Sequence, residues 1–169
     1  MTTNKIMLVD DEEFVLTCLK RSLAREGYEL MTFTMAEQAL EYLETKKVDV
    51  IISDHRMPGM TGIDFLIKVR KRHPDVVRIL LTGYADMDVA IRAVNEGKLF
   101  RFLTKPWNNE ELKAALVNAL HLRNLSTRSR DVISQFKKQE DHIRSLETAH
   151  PGIGKVERDA TGAIIIEEG

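Results

Sequence analysis

A single cysteine, four prolines, one tryptophan and a net charge of only −1 in 169 residues leave several classes of protein without support. With Cys18 alone, no disulfide can form within the chain, and among Leu16, Leu19 and Leu23 the thiol reads as a small core residue rather than a reactive one. No apolar run approaches the roughly 20 residues that a bilayer crossing needs, and Met1 to Lys5 leads into a strand pattern without the apolar segment of a signal peptide. A cytoplasmic protein without membrane contact is expected. From His121 onward the Lys/Arg and Asp/Glu counts are equal, so neither the whole chain nor its tail has the basic excess that direct nucleic-acid binding demands. Hydrophobic residues at 43% and charged residues at 30% are ordinary for a folded globular chain, long enough for one domain and an appendage.

Short β-branched runs alternate with stretches of helical period five times over, the signature of a parallel sheet wrapped by helices. The spacing predicts strands over Lys5 to Val9, Tyr28 to Phe33, Val48 to Ser53, Val77 to Leu81 and Phe100 to Thr104. Helices are predicted from Glu12 to Arg25, with Phe14, Leu16, Leu19 and Leu23 as its apolar positions, then from a Thr34/Glu37 capping box, up to Arg72, from Asp86 to Glu96, and from an Asn108/Glu111 cap. Unbroken apolar strands such as Val50-Ile51-Ile52 imply helices on both sheet faces. An α/β doubly wound five-stranded parallel sheet of order 2-1-3-4-5 closes such a chain naturally.

In such sheets functional groups collect where the strands end, because the crossover loops there point side chains into one crevice. This chain puts Asp10 and Asp11 after the first strand, Asp54 after the third, Thr82 after the fourth and Lys105 after the fifth. Singly each has a plain reading: helix caps for Asp10 and Asp11, an Asx turn for Asp54, a turn hydroxyl for Thr82, a solvated strand end for Lys105. Together they form a hard-oxygen site suited to Mg²⁺ and phosphate oxygens, with Asp54 as nucleophile and Lys105 and Thr82 to spread charge.

The motifs DD, D-x-x-MPGM-x-G, LTGY and FLTKPW, at four strand ends in this order, resemble the receiver domain of two-component response regulators over residues 1 to 122. The resemblance implies a flavodoxin-like fold and a phosphoacceptor switch rather than an enzyme acting on a separate substrate. It implies metal binding by Asp10, Asp11, Asp54 and the Arg56 backbone carbonyl, phosphorylation of Asp54, and phosphoryl sensing by Thr82 and Lys105. Phe102 stands where the family carries a switching aromatic, though an ordinary core Phe reads equally well. Arg56 and Tyr84 stand at the two lifetime-tuning positions; both are large, which suggests a long-lived aspartyl phosphate. The implied partner is a cognate histidine kinase or phosphotransfer protein. His55 and Trp107 are assigned no site role, Trp107 reading as an anchor for the fifth helix.

Beyond the receiver, Leu122, Ser129, Phe136 and Ile143 recur every seven residues, with Leu125, Val132, Gln139 and Leu146 offset by three. Residues 123–150 therefore read as a coiled-coil linker continuing the fifth helix and pairing two chains in a homodimer, or as one helix folding back on the receiver. Residues 151–169 are β-prone, with a hairpin pattern around Asp159 to Gly162, and read as the start of an output domain or a strand pair. Receivers with a TKPW ending and a helical linker resemble those joined to phosphodiesterase or cyclase outputs of cyclic-dinucleotide signalling. A rival enzyme reading, a haloacid-dehalogenase-type phosphatase, needs an acid two residues after the nucleophile, where this chain has Arg56. A second rival is an adaptor that never turns over phosphate.

Overall fold

A computed structural model describes residues 2–151. It contains five strands, β1 (Lys5–Val9), β2 (Glu29–Phe33), β3 (Val50–Asp54), β4 (Val77–Thr82) and β5 (Arg101–Thr104). They alternate with helices α1 (Glu13–Leu23), α2 (Ala36–Thr45), α3 (Gly62–Arg72), α4 (Met87–Asn95) and α5 (Asn109–Ala149), with a short 3₁₀ turn over Tyr84–Asp86. All pairings are parallel, in the order β2-β1-β3-β4-β5. The order expected from the sequence is the order observed.

The pleat explains how one strand serves two cores, since successive side chains leave on opposite faces. Ile6 and Leu8 of β1 join Val50, Ile52, Ile79 and Leu81 against α1 and the start of α5. Met7 and Val9 join Ile51 and Leu80 against α2, α3 and α4, where Phe65, Leu66 and Val69 are fully buried. Each such large apolar side chain contributes about 1.5–3 kcal/mol relative to exposure. Every residue of β3 is buried. That central strand therefore delivers Asp54 from the most tightly held part of the sheet.

Local chemistry departs from the sequence expectation at several places. Thr34 and Glu37 make no capping box: α2 opens after Met35, whose residue position makes no side-chain cap bond. At α5 the Asn108 side chain does cap, accepting from the Glu110 and Glu111 amides at 2.8 and 3.1 Å. Glu111 instead lies 3.7 Å from Arg101. Phe14, expected on the apolar face of α1, is 75% exposed, because the face turned to the sheet is carried by Leu16, Leu19 and Leu23. Cys18 is half-buried. Trp107 packs against the α1 and α5 core, its indole nitrogen 3.4 Å from Ser22, whose hydroxyl donates to Asn109 at 2.8 Å.

The chain divides into two units after Thr127. In the first, α5 buries Leu112, Ala115, Leu116, Ala119 and Leu120, and Arg123 pairs with Asp49 at 2.7 Å. In the second, Val132, Phe136, Ile143 and Leu146 are all exposed on the helix. The predicted hairpin lies outside the described residues. Among those described, no helix is long and apolar enough to cross a membrane.

Candidate phosphoryl-acceptor site

Parallel pairing brings the carboxyl ends of β1, β3, β4 and β5 to one edge, with Asp54 beside Leu81 and Thr82 beside Thr104 in register. Asp10 is fully buried directly after β1. Its Oδ1 accepts from the Glu12 amide at 2.9 Å, a local turn just ahead of α1, whose N-cap makes no side-chain cap bond. Its Oδ2 accepts from Lys105 Nζ at 2.7 Å, and the same ammonium lies 2.9 Å from Asp54 Oδ1. One cation thus bridges two buried carboxylates. A carboxylate oxygen from each of Asp10, Asp11 and Asp54 falls within 4.8 Å of the others, and Asp11 is exposed.

Backbone geometry sets this up. His55 N donates to Leu81 O, and Gly62 N donates to His55 O at 2.8 Å, folding the β3–α3 loop back under Asp54. A Cβ at Gly62 would stand 1.9 Å from the Asp54 carbonyl oxygen, so only glycine permits that approach. Thr61 then caps α3 by accepting from the Asp64 amide. After β5, Lys105 N donates to Thr82 O at 2.8 Å, and the Lys105–Pro106 peptide bond is cis.

Electrostatics follow from burial and proximity. Desolvation raises the Asp54 pKa, opposed by the Lys105 hydrogen bond and assisted by the charges of Asp10 and Asp11. Burial alone would lower Lys105, yet hydrogen bonds to Asp10 and Asp54 outweigh it and its pKa rises, keeping the ammonium charged. The donor set is all hard oxygen, open to solvent on the Asp11 side, and suits a small divalent cation.

A cleft of about 320 Å³ opens beside Asp54, lined by Asp11, Arg56, Tyr84, Asp86 and Lys105 among others. The remaining expected residues sit as follows. Thr82 is buried and its hydroxyl donates to Gly83 O at 3.3 Å, while Gly83 rather than Thr82 lines the cleft. Tyr84 stands at the mouth, 70% exposed. Phe102 is half-buried against the α2, α3 and α4 core and lines a separate cleft with Val94 and Glu111. Arg56 is engaged: its Nε and Nη2 donate to the two carboxylate oxygens of Asp86 at 2.6 and 3.1 Å. The sequence offers Gly62 only as the last glycine of the D-x-x-MPGM-x-G motif and Asp86 only as the first residue of a helix, neither with a site role. Asp86 looked like an ordinary helix start, and nothing in its spacing betrays a partner 30 residues away.

Comparison with known proteins gives a consistent picture. The profile of a family described as the response regulator receiver domain matches residues 6–117. The hydrogenase transcriptional regulatory protein HoxA of Cupriavidus necator is 37% identical over 120 residues, 71% of this chain and 25% of the relative. The DNA-binding transcriptional regulator NtrC of Escherichia coli K12 is 31% identical across 95% of this chain and 34% of its own length. This chain therefore spans between a quarter and about a third of these two relatives. Among solved structures, the signal receiver domain of an HD domain-containing protein from Pseudomonas fluorescens Pf-5 superposes with a TM-score of 0.71 at 38% identity, covering 77% of this chain and 95% of that one.

Proposed function

The chain belongs to the response regulator receiver domain family, and from that premise we propose that Asp54 is its phosphoacceptor, charged by a histidine kinase or phosphotransfer protein. The observation that carries the assignment is the Lys105 ammonium, 2.7 Å from Asp10 and 2.9 Å from Asp54, at a strand edge where Asp11 adds a third carboxylate. A carboxylate oxygen of Asp54 attacks phosphorus of the donor phosphohistidine. The phosphorus–nitrogen bond breaks, its electron pair passes to the imidazole, and an acyl phosphate forms. Positioning and charge compensation are all the protein has to supply.

Lys105 remains cationic through this step and offsets charge on the equatorial oxygens. Mg²⁺, held by Asp10, Asp11, Asp54 and the Arg56 backbone carbonyl, would neutralise the repulsion between the carboxylate and the incoming phosphoryl group. Thr82 senses the phosphoryl group by giving up its Gly83 bond, and Phe102 relays the change on the α4–β5 side. Arg56 and Tyr84, both lining the cleft, restrict the hydrolytic water and prolong the phosphorylated state. Catalysis is confined to the domain's own phosphorylation and dephosphorylation, because no acid stands two residues after Asp54 to drive a phosphatase cycle.

Output follows through α4 and α5. Residues 1–122 form the receiver, 123–150 the linker, and two copies pair in the cytoplasm through the exposed apolar residues Leu125, Val132, Phe136, Ile143 and Leu146 at heptad spacing. Residues 151–169 begin an output segment, and direct DNA contact is not part of this chain's role. The decisive experiment is labelling with radioactive acetyl phosphate and Mg²⁺: wild-type protein takes up label, Asp54→Asn does not, and labelled Asp54→Asn would remove the assignment. In the same assay Arg56→Ala and Tyr84→Ala lose label faster than wild type; decay at the wild-type rate in both would remove their lifetime role.

A further inference from the structure

The Arg56–Asp86 pair joins two loops that the acceptor chemistry leaves unlinked. Arg56 lies in the β3–α3 loop two residues after Asp54, and Asp86 ends the 3₁₀ turn after β4. The grip is two-pointed, at 2.6 and 3.1 Å, and both residues line the cleft beside Asp54. Asp86 occupies the N-cap position of α4, yet its side chain makes no cap bond there. A carboxylate at that position ordinarily serves the helix amides. Here it serves Arg56 instead.

The two partners differ in freedom. The Arg56 side chain is 72% exposed and that of Asp86 only 15%, so the carboxylate is the held member and the guanidinium the one with room to swing. Exposed ion pairs are individually weak. A phosphoryl group brings close to two negative charges and three strong acceptor oxygens, which makes it the stronger claimant on a guanidinium that lines the same cleft as Asp54.

We propose that Asp86 is a positioning residue that competes with the phosphoryl group on Asp54 for the Arg56 guanidinium. In the unphosphorylated domain the pair parks Arg56 on the turn before α4. When Asp54 is phosphorylated Arg56 transfers to the phosphoryl oxygens, and Asp86 and the start of α4 are released together. Occupancy of the acceptor and tethering of α4 are thereby coupled, each weakening the other by the same factor. Held on the phosphoryl group, Arg56 also shields it during hydrolysis, in which a water oxygen bonds to phosphorus and the bond to the Asp54 oxygen breaks. The carboxylate keeps that electron pair, and the water's protons leave with inorganic phosphate or pass to solvent.

The inference rests on Asp54 being the acceptor, and its test separates the two. Beryllofluoride affinity at fixed Mg²⁺ is measured by calorimetry, and label decay after acetyl phosphate treatment is followed, for the full chain and for Asp86→Asn, Asp86→Glu, Arg56→Ala and the double variant. Asp86→Asn should bind beryllofluoride about two- to fivefold more tightly and lose label more slowly, the size expected for removing one exposed competing pair. Asp86→Glu should return both values toward wild type. In the Arg56→Ala background Asp86→Asn should change neither, since the coupling term then has no carrier. An equal effect of Asp86→Asn with and without Arg56, or no tightening at all, overturns the competition while leaving Asp54 as acceptor. Wild-type protein that neither binds beryllofluoride nor takes up label overturns both.

Discussion

Burial of Asp54 costs the fold stability. Burial is the largest cause of its raised pKa, and the Lys105 hydrogen bond only partly opposes it. A carboxyl whose pKa rises on folding holds its proton more tightly in the native state, so ionising it destabilises the fold. That cost is absent below the unfolded pKa of about 3.9 and complete above the folded one. Asp54→Asn should therefore melt a few degrees higher than wild type at pH 7 in metal-free buffer, with the gain shrinking as pH falls toward 4. Thermal melts across this range check it, and equal melting temperatures at pH 7 would count against the desolvation argument. Lys105 keeps Asp10 as a partner in that variant. At Gly62 the constraint is steric rather than electrostatic. Gly62→Ala places a Cβ against the Asp54 carbonyl, which backbone cannot yield cheaply, and should cost about 3 kcal/mol in urea unfolding and abolish beryllofluoride binding.

At the scale of elements, capping separates two helices that look alike in sequence. Asn108 satisfies two amides at the start of α5, so Asn108→Ala should cost about 1 kcal/mol by chemical denaturation. Thr34 satisfies none at α2, and Thr34→Ala should stay within about 0.5 kcal/mol of wild type. Both segments carry the polar residue and the downstream Glu of a capping box. Only the path of the chain into the helix decides whether the oxygen reaches the amides, and that path is set by the preceding strand. Phe14 makes the same point for packing: helical period places an apolar stripe to within one residue, while the sheet chooses which edge of it is covered.

At the scale of the whole molecule, the exposed heptad residues of α5 are the proposed means of pairing. Sedimentation should show a dimer, and Phe136→Glu with Ile143→Glu should weaken it by about tenfold or more; a monomer at every concentration would leave those residues without the proposed role. The sheet order, the two-sided burial of β3 and the convergence of Asp10, Asp11, Asp54 and Lys105 were legible in the residues alone, because they follow from period, from apolar runs and from the rule that a parallel sheet gathers its strand ends at one edge. What tertiary structure decided was contact between groups far apart in sequence. Lys105 could have been a solvated strand end, but the fold sets its ammonium between two buried carboxylates. Asp86 could have capped its helix, but the fold presents it to Arg56. Periodicity reports which face of an element is buried; it holds no term for which side chain will meet which across 30 or 95 residues, and the surroundings of Asp54 are made of those meetings.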